Sequence, residues 1–223
     1  VIGGINIVKH RVTEACSINC DNVLVLEKEK IDMLQRYMVA IRCTRDNDIL
    51  KGFRCTGPWA KIIRKDIVKN IYFNEKLQLY EDLLFNLEAL DNAKKIVIDT
   101  DIWYNYFIYQ NSAIHKYREN GIEQLEYVTR IFDKLNKKNS EWQAAISIKT
   151  MECVARTFSN TVFHRENKNK KVESIRIILE NELVNKLLNG FNEDIYVFKN
   201  YKEKYLWNAF RKKRVLKVWT YYQ

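Results

Sequence analysis

The stretch FNEKLQLYEDLLFNLEAL, residues 73–90, decides how this chain is read. Glu81 and Asp82 interrupt it, and Leu83, Leu84, Phe85, Leu87, Ala89 and Leu90 follow at once. That is more apolar surface than one face of an exposed helix carries. The pattern predicts a helix starting near Asp82 and buried nearly all round. Two carboxylates therefore stand at the mouth of a buried helix. One reading is capping: an acid at a helix start meets the orphan N–H groups and the macrodipole, for about 1 kcal/mol. The other is a general base, kept charged by the dipole, fixed by apolar walls and open above to a hydroxyl. For an arbitrary Glu-Asp pair capping is far the commoner role, so the neighbouring sequence has to decide.

Upstream, residues 1–9 (VIGGINIVK) and 22–26 (NVLVL) read as short strands. IDMLQRYMVAI, 31–41, is helical, with Ile31, Leu34, Met38 and Ile41 on one face. A loop-rich segment ends in Thr56-Gly57-Pro58-Trp59. AKIIRKDIVKN, 60–70, gives a strand or turn and then a short helix, with Asp66 as its expected N-cap. Downstream, KKIVIDTDIWYNYFIY, 94–109, alternates as strands do.

After Asn120-Gly121 the pattern turns helical. One stripe runs from Ile122 to Leu135 and a second from Trp142 to Val162; a third runs from Val172 to Leu187, with Gly190 as its stop. The fold class expected is α/β: a partial mixed sheet with helices over 1–118, followed by an α-helical C-terminal region over 119–223. That region ends in a basic, aromatic tail.

Composition bounds the function. With 223 residues and 47% hydrophobic residues the chain can bury a proper core. A single proline argues against a linker-rich, multi-module chain. The net charge of +10 points to an anionic partner: nucleic acid, a phosphate-bearing substrate or an acidic membrane surface. Five cysteines at irregular spacing do not make a disulfide framework, and are read as reduced thiols, most of them buried, in a reducing compartment. No run approaches the roughly 18 apolar residues of a membrane span, and no signal peptide is visible. VIGGINIV reads as a strand already under way, as if the sequence were cut from something longer.

The order of motifs around Glu81-Asp82 is the specific signal. TGPWAKIIR, a short helix, FNE and EDLLFN are followed by a KKIV strand, a YNY strand and an Asn-Ser turn at Ser112. This order and spacing resembles the acceptor-side half of family 2 glycosyltransferases, inverting enzymes with a GT-A fold. The resemblance covers about residues 1–118. It implies inverting transfer of a sugar from a nucleotide-sugar to an acceptor hydroxyl, as in bacterial surface-polysaccharide synthesis. The acceptor would be a saccharide or a lipid-linked saccharide.

By the resemblance Asp82 is the catalytic base, and Glu81 shapes the site. Trp59 is the aromatic residue of the acceptor pocket, with Lys61, Tyr104 and Tyr106 beside it. The resemblance places the protein in the cytoplasm, free or peripheral at the inner face of the membrane. It further implies a divalent metal, Mg or Mn, in the complete enzyme. That metal's Asp-x-Asp ligands belong to a nucleotide-binding half absent from this chain, so the 223 residues alone are expected to be inactive.

Phe107 follows Tyr106 where many relatives carry an arginine, so that residue's role on the diphosphate or acceptor is vacant or has moved. Asp99-Thr100-Asp101 lies downstream of Glu81-Asp82, the wrong side for the metal motif, and reads as a strand-end turn. Asp46-Asn47-Asp48 lacks the remainder of a calcium loop. His10, His115 and His164 are scattered, and no metal site is assigned to this chain.

The tail, FKNYKEKYLWNAFRKKRVLKVW, interleaves Lys and Arg with aromatics. A solvated helix face and contact with an anionic membrane surface are both open readings. The alternative to an enzyme is a basic module that binds such a surface, or nucleic acid. No nucleic-acid module is recognisable in the sequence, and nucleic acid is not the expected partner.

Overall fold

The computed structural model describes residues 1–9, 12–41, 49–109, 116–135, 139–193, 196, 198 and 200–223. The chain forms two compact units, Val1–Ile114 and His115–Gln223.

The first unit is mixed α/β. In chain order it contains β1 (Ile2–Lys9), β2 (Val12–Cys16), β3 (Leu24–Glu27), α1 (Glu29–Val39), α2 (Lys65–Val68), α3 (Glu81–Asp91) and β4 (Lys95–Phe107). The sheet order is β2-β1-β4-β3; β1 runs parallel to β4, and β2 and β3 pair antiparallel with β1 and β4. The strand β2 was not expected from sequence. Only its Cys16 is buried and Val12–Ala15 are exposed, so it lacks the alternation that marks a half-buried strand. β3 lies a little later than the 22–26 expected.

β4 is one long strand where shorter strands were expected. Its register with β1 shifts between Ile2 and Gly4 and again between Gly4 and Ile5, opposite Ile98–Tyr104. Asp99-Thr100-Asp101 sits inside this irregular stretch, not at a strand end, and the Asp99 carboxylate accepts the Asp101 N–H at 3.1 Å. Gly3 permits the close approach of the two strands, since a Cβ there would collide with the Trp103 ring.

Helices α1 and α3 are tied across the core. Gln35, nearly fully buried, donates to the Leu87 carbonyl at 3.0 Å and to Asp91 Oδ1 at 2.8 Å. Leu26, Leu34, Met38, Leu50, Phe53 and Ile98 are fully buried in this unit. Helix α3 buries Leu83, Asn86, Leu87, Ala89 and Leu90, while Glu88 and Asp91 face solvent and Leu84 and Phe85 are half-buried. It is thus buried over most of its circumference rather than all round. The expected Asp66 cap is not made: Arg64 holds the N-cap position of α2, and Asp66 pairs with its guanidinium at 2.7 Å.

The second unit is helical: α4 (Gly121–Leu135), α5 (Ser140–Thr157), α6 (Lys171–Glu180), α7 (Glu182–Leu188), α8 (Tyr201–Arg211) and α9 (Val215–Tyr222). α5 is its central helix. The Asn139 side chain caps it by accepting the Trp142 N–H at 2.8 Å, and it runs into a π-helical turn at Phe158–Val162. The third stripe forms two helices rather than one. Asn181, at ψ 118°, breaks the helix and restarts it by accepting the Val184 N–H at 3.0 Å. No helix among the described residues is long and apolar enough to cross a membrane.

Candidate functional site

The start of α3 is delivered by a tight turn. Leu77 N–H donates to the Asn74 carbonyl at 3.0 Å, and Phe73 stacks on Phe85 with ring centres 4.4 Å apart, so the turn is held against the helix. Tyr80 then takes a left-handed conformation, φ 74° and ψ 3°, immediately before Glu81. For a tyrosine that backbone costs about 1–2 kcal/mol, and such strain concentrates at functional sites. Tyr80 occupies the N-cap position and its side chain does not cap the helix. The Asp82 carboxylate makes no hydrogen bond with any described residue, and Glu81 Oε2 is buried without a hydrogen-bond partner among them. Neither acid therefore caps the helix through a side-chain hydrogen bond, although both stand in its first turn, where the macrodipole favours negative charge.

The loop of residues 55–61 is fastened over this helix mouth by two donors. Asn86, one turn after Asp82 and nearly fully buried, donates through Nδ2 to the carbonyls of Thr56 (2.9 Å), Gly57 (3.2 Å) and Asp82 (2.8 Å). Lys61 Nζ donates to the Cys55 carbonyl at 2.8 Å and to the Gly57 carbonyl. Gly57 thus receives both, and the Trp59 ring packs where a Gly57 Cβ would otherwise sit. Ala60 completes the loop in a left-handed conformation, φ 54°.

Trp59 leads into an aromatic stack. Its ring lies 4.6 Å from Tyr106 and 6.0 Å from Tyr104, near-parallel to both. Tyr104 and Tyr106 share one face of β4 because strand side chains alternate. Trp59 Nε1 is buried without a hydrogen-bond partner among the described residues. Trp59 is partly buried between Gly57 and the tyrosines, and the openly accessible ring of the stack is Tyr104, 45% exposed.

Burial sets the electrostatics. It raises the Asp82 carboxyl from its ordinary value; the adjacent Glu81 raises it further, and Lys61 opposes both. The same burial lowers Lys61 to about 8, against the pull of Cys55 and Asp82. Fully buried Cys55 is itself pushed up to about 12, so near neutral pH it is an uncharged thiol. Asp82 is then the anion that matters to Lys61. The expectation that the helix dipole simply holds Asp82 ionised misses this desolvation. A carboxylate raised in this way is a stronger base.

Of the residues singled out in the sequence, Glu81, Asp82 and Lys61 gather at the mouth of α3, and Trp59, Tyr104 and Tyr106 form one stack. Gly57 joins the two groups. Asn86 and Gly57 join the site only in the fold; their signal in the sequence is position, an asparagine one turn after the acids and a glycine two residues before the tryptophan. Ser112, Asp46–Asp48, His10 and His115 lie outside the described residues. His164, in the second unit, stacks on Tyr117 at 5.2 Å.

A cavity of about 390 Å³ is lined by Lys61, Ile62, Ile67, Asn86, Leu90 and Ile96 among others, but not by Asp82 or Trp59; it is a mainly apolar space beside α3 that meets the candidate site at Lys61 and Asn86. Among the described residues no group of three or more His, Cys, Asp or Glu could hold a metal ion. No family model matches the chain.

Proposed function

We propose that this chain is the acceptor-side part of an inverting, family 2-like glycosyltransferase of GT-A type, with Asp82 as its general base. The observation that carries the reading is the continuous set of contacts from Asp82 through Asn86 and Gly57 to Trp59, with the Asp82 carboxylate itself left unpartnered. A base must be fixed in place yet free to receive a proton, and those contacts fix the backbone while sparing the carboxylate.

In the reaction, the Asp82 carboxylate takes the proton of an acceptor hydroxyl as its oxygen bonds to the anomeric carbon of the donor. The bond from that carbon to the diphosphate oxygen breaks, and the nucleoside diphosphate leaves with the electron pair. One displacement inverts the anomeric centre, and no covalent enzyme intermediate forms. Among the described residues no group of three or more His, Cys, Asp or Glu could hold a metal ion, and every step is assigned to the residues named. Tyr104 and Trp59 offer the aromatic surface on which a sugar's C–H face stacks.

The test is release of nucleoside diphosphate by the full-length protein from a panel of nucleotide-sugars and saccharide acceptors, with the anomeric configuration of the product read by NMR. Inverted product is expected. Retained configuration, or no release with any donor, overturns the reading. Exposed Tyr104 supplies a finer test: Tyr104→Ala is expected to raise the acceptor KM about 5–10-fold, the loss of one stacking contact, with kcat within about two-fold and the melting temperature nearly unchanged. An unchanged KM would remove the β4 aromatics from acceptor binding.

A further inference from the structure

We propose that the corner between α8 and α9 is a docking face for an anionic phospholipid bilayer. Residues 201–223 hold seven Lys and Arg against a single acid, Glu203. Four of the cations, Arg211–Arg214, are consecutive and exposed at the junction of the two helices. Arg211 is held by Glu193 at 3.4 Å and lies over the Phe191 ring. Lys212, Lys213 and Arg214 have no carboxylate partner among the described residues. Three neighbouring charges left without counter-charge repel one another, and an external anion relieves that repulsion.

The backbone adds an independent observation. The end of α8 closes as a Schellman turn: Arg214 N–H donates to the Ala209 carbonyl at 2.8 Å, and Lys213 N–H to the Phe210 carbonyl at 2.9 Å. The residue in the left-handed position of that turn is Lys213, φ 50°, where glycine is strongly favoured. A charged side chain stands at the exposed corner despite the strain, as happens where a position serves something other than the fold.

Apolar groups adjoin the charges. Val218 and Tyr222 turn α9 inward; Val218 is fully buried and the Tyr222 hydroxyl donates to the Ala155 carbonyl at 3.1 Å. The helical period then turns Leu216 and Trp219 outward, and they are 72% and 37% exposed. Lys217 Nζ lies 5.3 Å from the ring centre of Tyr205, which brings that half-exposed tyrosine of α8 beside α9.

Single exposed apolar residues are ordinary on a protein surface. Unpaired cations next to an outward leucine and indole are the arrangement that suits a bilayer interface, where cations meet lipid phosphates and the apolar groups enter below them. A nucleic acid would meet the cations equally well but gives Leu216 nothing to bury against. The docking face lies wholly within the second unit and does not depend on the sugar-transfer reading.

The experiment is sedimentation of the full chain with vesicles of 30% phosphatidylglycerol in phosphatidylcholine. Binding is expected, with release at high salt and little binding to phosphatidylcholine alone. Replacing Lys212, Lys213 and Arg214 together by Gln is expected to weaken binding about 100-fold, each headgroup contact being worth about a factor of five. Leu216→Ser is expected to weaken it about 10-fold and keep the salt dependence. Lys213→Gly, which relieves the turn, controls for folding and should cost about five-fold with circular dichroism unchanged. Binding indifferent to phosphatidylglycerol, or to the triple substitution, overturns the proposal. So does an oligonucleotide that binds more tightly than the vesicles and displaces them.

Discussion

Asp82→Asn is expected to lower kcat by about 100- to 10,000-fold, the range a positioned general base contributes, and at the same time to raise the melting temperature at neutral pH. The two effects share one cause. Burial, then Glu81, raises the Asp82 carboxyl in the folded protein, so the fold favours its protonated form. A group whose pKa is raised on folding contributes stability that is complete below the unfolded carboxylate value, about 3.9, and is lost as pH climbs through the higher folded value. Above that window the ionised Asp82 is a cost, and asparagine, which carries no charge, removes it.

The gain in melting temperature should therefore be present at pH 7 and vanish near pH 3. A capping aspartate behaves otherwise: asparagine caps as well as aspartate does, and a charge that favoured the helix dipole would be missed at pH 7. Calorimetry of both proteins between pH 3 and 8 separates the cases. A variant that melts at or below the wild-type temperature at pH 7 would mean that Asp82 is not held in an unfavourable charge state.

Lys61 explains why such a carboxylate is tolerated. Its own shift is downward, to about 8, and burial is the leading cause of both shifts. Each charge offsets part of the other's desolvation. The ammonium has a second task, because it also holds the Cys55 and Gly57 carbonyls. One side chain thus sets the loop position and moderates the charge beneath it. The Glu81 atom left unpaired and the left-handed Tyr80 belong to the same picture: the mouth of α3 is arranged at some cost to local stability.

Much of this was legible in the sequence, for identifiable reasons. The apolar run from Leu83 to Leu90 exceeds any surface helix, which located α3 and its acids. The 3.6-residue stripes located the helical unit. What escaped notice lacks periodic signal. β2 is exposed along four of its five residues, so no alternation marks it. The break at Asn181 lies inside an apolar stripe that continues in phase on both sides, and only the side chain's bond to Val184 N–H reveals a second start. The raised carboxyl of Asp82 depends on how deeply Lys61 and Glu81 are packed beside it, and no spacing rule reports burial depth. Asn86 was visible as a letter in EDLLFN, but its three acceptors lie partly on a loop about thirty residues earlier, a contact that only the fold creates.

That asparagine carries the second large expected effect. Asn86→Leu should destabilise the protein by about 2–3 kcal/mol, although leucine keeps the same branched outline and opens no cavity. The loss comes from acceptors. The Thr56 carbonyl has no other donor among the described residues, and the Gly57 carbonyl retains only Lys61. Leaving the part-buried Thr56 carbonyl unpaired costs up to the desolvation of a buried one, about 1–3 kcal/mol, and loosening the loop removes the packing of Trp59 against Gly57. Asn86→Asp, closer still in shape, should be worse at pH 7: it exchanges the donor for a charged acceptor among three carbonyl oxygens. Urea unfolding of the three proteins gives the order wild type, Leu, Asp. A leucine variant within about 0.5 kcal/mol of wild type would show that the loop of residues 55–61 is held over α3 by Lys61 alone.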